Sequence, residues 1–420
     1  MVKESLVIDE IKKHSIKLNS NDDLNSLVEA AGEAEFVLLG EASHGTSEFY
    51  SFRAEITKRL IKEKGFSIIG VEGDWPSCFT INRFIKGERN GTAANALQDF
   101  NRWPTWMWAN KEVESLISWL KEYNDQSNGN VGFYGIDVYS LWESMEEMVR
   151  QLQKISPRSA EKARQAFECF EPFDRRPENY GISAAFYEED CVEEIIALLT
   201  EIRTKKHKLD KLGDETALNL EVNGMVTLNA ERYYRAMVEG GPDDWNIRDT
   251  HMVSAIEAVK KSYGNSSKVI VWEHNTHIGD ARATDMKAEG LVNVGQLLRE
   301  KYGQQAVFAV GFGTHHGSVI ASSRWGDPLK IMEVPKAAKG SWEDLMNRAG
   351  AYNKILMFNP KKDTVFNHTF GHRAIGVVYN PEVELLGNYV PSRMAQRYDA
   401  FVYLDKTTAL NPLSVANAYT

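Results

Sequence analysis

The stretch that decides the fold is Phe36-Val37-Leu38-Leu39-Gly40-Glu41-Ala42-Ser43-His44-Gly45-Thr46. Four consecutive apolar residues closed by a glycine have the length of a strand, and apolar character without alternation marks a strand covered on both faces. An amphipathic segment follows, with Phe49, Phe52, Ile56 and Leu60 at helical spacing. A second apolar run, Ser67-Ile68-Ile69-Gly70-Val71, comes next. Strand, helix and strand in this order form the unit of a parallel sheet.

The pattern recurs along the chain. Val131 to Ile136, Val269 to Trp272, Ala306 to Val310, Ala374 to Tyr379 and Phe401 to Leu404 all read as short strands. The fold class is therefore α/β, a mainly parallel sheet with helices on both faces. Between the third and fourth runs no strand is evident. There Met145, Met148, Val149 and Leu152, and later Ile195, Leu198, Leu199 and Ile202, follow helical spacing. Residues 1–140 and 264–420 are expected to form the α/β core, and 141–263 a bundle-like helical insertion.

Composition removes several function classes. The formal charge of -10 over 420 residues, with Lys and Arg scattered, argues against nucleic acid as a partner. No apolar run approaches the roughly 18 residues that cross a bilayer, and Met1 to Asn19 lacks the apolar core of a secretory signal. Cys78, Cys169 and Cys191 are odd in number and form no C-x-x-C pair, so a disulfide framework is not expected. A cytoplasmic protein without a membrane partner is the expectation.

In open α/β sheets ligands bind beyond the carboxyl ends of the strands. Glu41 and His44 follow the first run, Glu72 and Asp74 the second, Asp137 the third, and Glu273, His274 and His277 the fourth. His315 and His316 come after the fifth run and its glycines. A single acid or histidine at a strand end is commonly structural. Their concentration at one end of a sheet points instead to acid–base chemistry.

His44 stands before Gly45 and a helix that Thr46 or Ser47 can cap, so the helix dipole should disfavour its imidazolium and leave a neutral base. Glu41 or Glu72 can orient the ring through its other nitrogen. His274 and His277 can converge to bind metal, stabilise an oxyanion or protonate a leaving alkoxide. No H-E-x-x-H motif is present, so no cofactor is expected, although the His and carboxylate set leaves a metal open. Trp103-Pro104-Thr105-Trp106-Met107-Trp108 reads as a packed loop or an aromatic wall for ligand. Asp74, Trp75, Trp106 and Arg248 are the expected substrate-binding residues, Arg248 serving equally well as an ion-pair partner of the site. The absence of G-x-S-x-G argues against a serine nucleophile, and the absence of phosphate-binding glycine loops removes the usual nucleotide readings.

Taken together, Gly40 to Thr46, Val71-Glu72-Gly73-Asp74, Trp106-Met107-Trp108, Trp245-Asn246-Ile247-Arg248-Asp249 and Trp272 to His277 resemble the erythromycin esterase family, from about Glu33 to Asp405. The tryptophan-rich segment is similar to the branch often labelled for succinoglycan biosynthesis. The resemblance implies an α/β core with a helical insertion and a deep cleft. It also implies hydrolysis of an ester or macrolide lactone, as in antibiotic resistance, by activated water without an acyl-enzyme. It assigns the general base to His44 and supporting roles to Glu41, Glu72, His274 and His277. The partner would be a small-molecule ester or lactone. A metal-dependent hydrolase built on the same cluster, or a protein that only binds haem or another apolar ligand, are the alternative readings.

Overall fold

A computed structural model describes residues 4–127, 129–173, 180–184, 191–209, 213, 215–359 and 361–413. Its strands are β1 (Ile16–Lys17), β2 (Phe36–Leu39), β3 (Ile68–Asp74), β4 (Gly132–Asp137), β5 (Val269–Trp272), β6 (Val307–Ala321), β7 (Lys330–Val334), β8 (Lys354–Met357), β9 (Phe370–Arg373), β10 (Tyr389–Ser392) and β11 (Ala400–Thr407). Nine of them make one sheet in the order β1-β8-β11-β6-β2-β5-β3-β4, with β7 paired to β6. From β11 to β4 every neighbouring pair is parallel. β1, β7 and β8 join antiparallel at the margin.

Both faces of the sheet are covered. Val37, Leu39, Ile69, Val71, Ile270 and Trp272 face a core completed by Phe49, Ile56 and Leu60 of the helix Ser47–Lys64 and by Leu116 and Leu120 of Lys111–Ser127. Phe36, Leu38, Ile68, Val269 and Val271 face the opposite core, with Met252, Ile256 and Val259 of the helix Asp243–Tyr263. This two-sided burial is the reason the central strands carry no polar alternation.

No strand lies between Asp137 and Val269 among the described residues. The helices Leu141–Ile155, Pro157–Phe167, Val192–Leu209 and Thr216–Glu239 share a separate core around Met148, Leu152, Ala163, Leu199 and Leu220. The last helix of the stretch, Asp243–Tyr263, instead packs on the sheet.

Three local expectations are corrected. Ala374 to Tyr379 is not a strand. Its backbone bonds are divided among Asn388, Ala42 and Ser322, so no single neighbour lines up along it. β6 does not end at Val310 but continues to Ala321. A side chain at Gly311 or Gly313 would strike the ring of Tyr398 or Phe401, so these glycines make room for neighbours, and His315 and His316 lie within the strand. Finally, Cys169 and Cys191 are joined by a disulfide with Cα atoms 6.0 Å apart, whereas no pairing was expected. The start of the helix Val192–Leu209 comes back against the turn after Phe167, which spacing along the chain does not reveal.

Candidate active site

Strand register builds the site. Leu39 of β2 is level with Trp272 of β5 and Val310 of β6, and Val71 of β3 is level with Trp272. Residues just beyond this row therefore emerge at one place, which brings Glu41, His44, Glu72, His274 and His277 together although they span more than half the chain.

His44 sits in a loop seated directly on the sheet. The carbonyl of Gly45 accepts from Ile320 N at 3.0 Å and from Leu410 N at 2.9 Å. A Cβ at Gly45 would lie 1.9 Å from the Ile320 carbonyl oxygen, so close approach is what demands glycine there. Thr46 takes the N-cap position of the helix Ser47–Lys64, but its side chain makes no capping bond. Its hydroxyl bonds Ser43 instead.

The imidazole is oriented through Nδ1, 2.9 Å from Glu41 Oε1. The other Glu41 oxygen accepts from the guanidinium of Arg53, which is fully buried and lies over the rings of Tyr50 and Trp272 at 4.4 and 4.5 Å. Sequence reasoning missed Arg53. The signal was present, since Phe49, Arg53, Ile56 and Leu60 share the buried face and Phe52 only borders it. An arginine among core positions asks for a buried anion.

His44 Nε2 is 4.0 Å from Glu72 Oε1, too far for a direct hydrogen bond. Burial opposes the imidazolium, but the charges of Glu72 and Glu41 and the Glu41 hydrogen bond outweigh it and raise the His44 pKa above its ordinary value. This reverses the expectation from the helix dipole, because two carboxylates at close range dominate.

Glu72 is tied on both oxygens, Oε1 accepting from Arg248 Nη2 and Oε2 from His274 N, each at 2.8 Å. Burial would raise its carboxyl. His277 and His44 when protonated, the permanent charge of Arg248 and the His274 N–H more than compensate, and hold it well below the ordinary carboxylate range. Arg248 also grips Asp137 through Nε at 2.9 Å and Nη2 at 2.7 Å, the forked geometry suited to a guanidinium. Its Nη1 reaches His277 Nε2 at 3.1 Å.

The two later histidines are placed differently. His277 is held between Arg248 and Asp249, whose oxygens are both 3.0 Å from Nδ1, and its ring stacks on Trp245. His274 accepts at Nδ1 from Thr276 N and lies 2.8 Å from the Thr276 hydroxyl. That leaves its Nε2 buried without a partner, in a ring centred 5.0 Å from that of His44. Burial and the nearby His44 push its pKa well down, so the ring is neutral and its Nε2 carries the proton.

A cavity of about 130 Å³ opens beside His44 and Glu72. Asp74, Asp137, Arg102, Arg248, Tyr139 and the aromatic side chains Phe100, Trp103, Trp108 and Trp325 line it as well. Asp74 is bound in turn by Arg102, and Trp108 Nε1 donates to the Glu72 carbonyl at 3.0 Å.

Trp75 and Trp106 are not in this cavity, which corrects their assignment to the substrate. Trp75 is wholly buried, stacked on Phe79 and Tyr134, and donates to Asn219. Trp106 belongs to the core beneath the loop. Trp103, Trp108 and Trp325 provide the aromatic surface instead. Nothing in the local sequence marks Trp325, because the β6–β7 connection carries it to the mouth.

A larger cavity, about 1020 Å³, lies among the helices near Trp142, Val149 and Phe170. No histidine borders it, whereas His44 lines the smaller one. Among the described residues no three His, Cys, Asp or Glu side chains converge in a way that could hold a metal, and no helix is long and apolar enough to cross a membrane.

A covered, mainly parallel sheet with a carboxylate-held histidine at its strand ends defines an α/β protein with a cleft at that edge. The chain belongs to the erythromycin esterase family, whose model matches residues 61–407, and is thus a hydrolase of that family. It is 23% identical over 363 residues to erythromycin esterase type II of Escherichia coli, covering 80% of this chain and 84% of that protein. The fold is shared with a crystal structure described as a succinoglycan biosynthesis protein, with TM-score 0.80, 17% identity and coverage of 97% and 98%. It is also shared with a mutant of the erythromycin esterase EreC in its open conformation, with TM-score 0.66, 16% identity and coverage of 92% and 94%.

Proposed function

We propose that the chain hydrolyses a carboxylic ester or lactone with water activated by His44. The observation that carries this reading is the 4.0 Å gap between His44 Nε2 and Glu72 Oε1 at the cavity. One water oxygen spans that gap at about 2.8 Å from each atom, an ordinary hydrogen-bond length. Glu41 fixes the ring so that Nε2 accepts the water proton, and Glu72 accepts the second hydrogen and aims the oxygen.

The water oxygen adds to the ester carbonyl as His44 takes its proton. Negative charge then builds on the carbonyl oxygen, where Arg248 on the cavity wall is the cationic donor. Collapse of the intermediate breaks the ester C–O bond, and the leaving alkoxide recovers the proton from His44. His277, with both nitrogens engaged, positions Arg248 and transfers no proton. The reading uses no cofactor and takes a small-molecule ester as partner. A macrolide lactone is one substrate to test, since a relative is named for it.

His44→Ala is expected to lower kcat by about 10²–10⁴, the usual contribution of a general base, without loss of the folded state. Full turnover by a folded His44→Ala variant would falsify the assignment.

A further inference from the structure

The cavity is small and its charges are already paired, and both features bear on which ester can enter. Its volume, about 130 Å³, is well under the roughly 300 Å³ at which pockets for drug-sized ligands begin. The mouth is bounded by Trp103, from the loop after β3 and its helix, and Trp325, from the β6–β7 connection. Their ring centroids are 4.4 Å apart, and Val377 also lines the cavity. Trp325 is 62% exposed, so it forms the outer edge of the opening and is not part of the core.

Inside, three carboxylates, Glu72, Asp74 and Asp137, face two guanidiniums, Arg102 and Arg248. Arg102 is bound to Asp74, and Arg248 to Asp137 and Glu72. With His44 neutral, as a base must be, the lining carries one excess negative charge. An anionic acyl group entering here would meet that excess, with both guanidiniums already neutralised by carboxylates. Phe100, Trp103, Met107 and Trp108 supply a flat apolar wall for an uncharged group.

We propose that Trp103 and Trp325 set the size limit and the carboxylate excess sets the charge limit, so that the site takes compact, uncharged esters or lactones. This rests on the hydrolytic reading of the same site. A macrocyclic lactone enters only if the tryptophan pair is opened, and a succinyl ester is disfavoured.

The test compares p-nitrophenyl acetate, p-nitrophenyl hemisuccinate and an uncharged fourteen-membered macrolactone, with the wild-type chain and Trp325→Ala. The acetate ester is expected to exceed the hemisuccinate in kcat/KM by about tenfold or more at low ionic strength, and the macrolactone to be a poor substrate. Trp325→Ala is expected to raise the ratio of kcat/KM for the macrolactone to that for the acetate by about tenfold or more, within the range a pocket contact can discriminate. Preference for the hemisuccinate, a wild-type chain equally active on the macrolactone, or equal change of all substrates in Trp325→Ala would overturn the proposal. If the wild type hydrolyses none of the three, the hydrolytic reading fails separately. Calorimetric binding to His44→Asn then decides the filter. Binding in the same order supports it, while tight macrolactone or hemisuccinate binding, or no binding at all, refutes it.

Discussion

Arg248 Nη1 donates to His277 Nε2 at 3.1 Å, and His277 Nδ1 faces Asp249 at 3.0 Å. A guanidinium cannot accept a hydrogen bond, so Nε2 is the unprotonated nitrogen and Nδ1 carries the hydrogen given to Asp249. His277 is thereby fixed in one tautomer with neither nitrogen free. Two histidines that look equivalent in sequence have different work.

Asp249→Asn releases that tautomer, because the amide can donate to Nδ1 and leave Nε2 protonated against Arg248. Arg248 should lose its position relative to Glu72. Steady-state kinetics should show a fall in kcat of at least about tenfold, less than the roughly 10⁴ known where the misoriented histidine is itself the base. KM should change little, and the acid limb of the pH profile should stay in place, since His44 is untouched.

The pH profile follows from His44. The proposed base works unprotonated and its pKa is raised, so kcat/KM should climb through a midpoint above the ordinary histidine value of about 6.5. Glu41→Gln removes a negative charge and a bond that favour the imidazolium, and the midpoint should move down. The effect on stability has the opposite sign. A raised folded-state pKa adds stability that is complete below the unfolded value and lost as pH rises through the folded one. His44 therefore makes the protein slightly less stable across the same window in which activity rises, which thermal melts at several pH values can check.

Glu41→Gln also leaves Arg53 without its anion in a dry environment. Removing one partner of a buried pair costs on the order of 3–5 kcal/mol. Chemical denaturation should show a loss of that order, and Glu41→Gln with Arg53→Met should recover much of it while activity stays low. An unchanged midpoint in the single variant would count against the pairing.

Trp75→Ala separates core from site. Trp75 fills space between Phe79 and Tyr134, so its removal should cost about 3–5 kcal/mol in stability. At a temperature where the variant is folded, KM should stay near the wild-type value. A selective rise in KM would return Trp75 to the substrate.

Much of the site could be read from the chain because parallel strands place their C-terminal residues on one edge. Glu41, Glu72 and His274 each follow an apolar run, and knowing the runs was enough to group them. Arg53 was hidden because its anchor, Glu41, is a loop residue that returns to the helix only in three dimensions. Trp325 follows a strand whose length was misjudged, as Gly311 and Gly313 imitate a strand end while serving neighbouring rings. Trp75 was misread because the residue after Asp74 already belongs to a helix, and helical geometry turns it to the opposite side of the sheet.

The seating of Gly45 on Ile320 and Leu410 has a consequence for synthesis. The loop bearing His44 is complete by residue 46, but the backbone groups that hold it belong to Ile320 and Leu410. Until residue 410 has emerged and β11 has docked, His44 has no fixed position, and such distant pairings form slowly. A nascent chain from which residue 410 has not yet emerged should be catalytically silent, so that turnover reports the docking of this late segment.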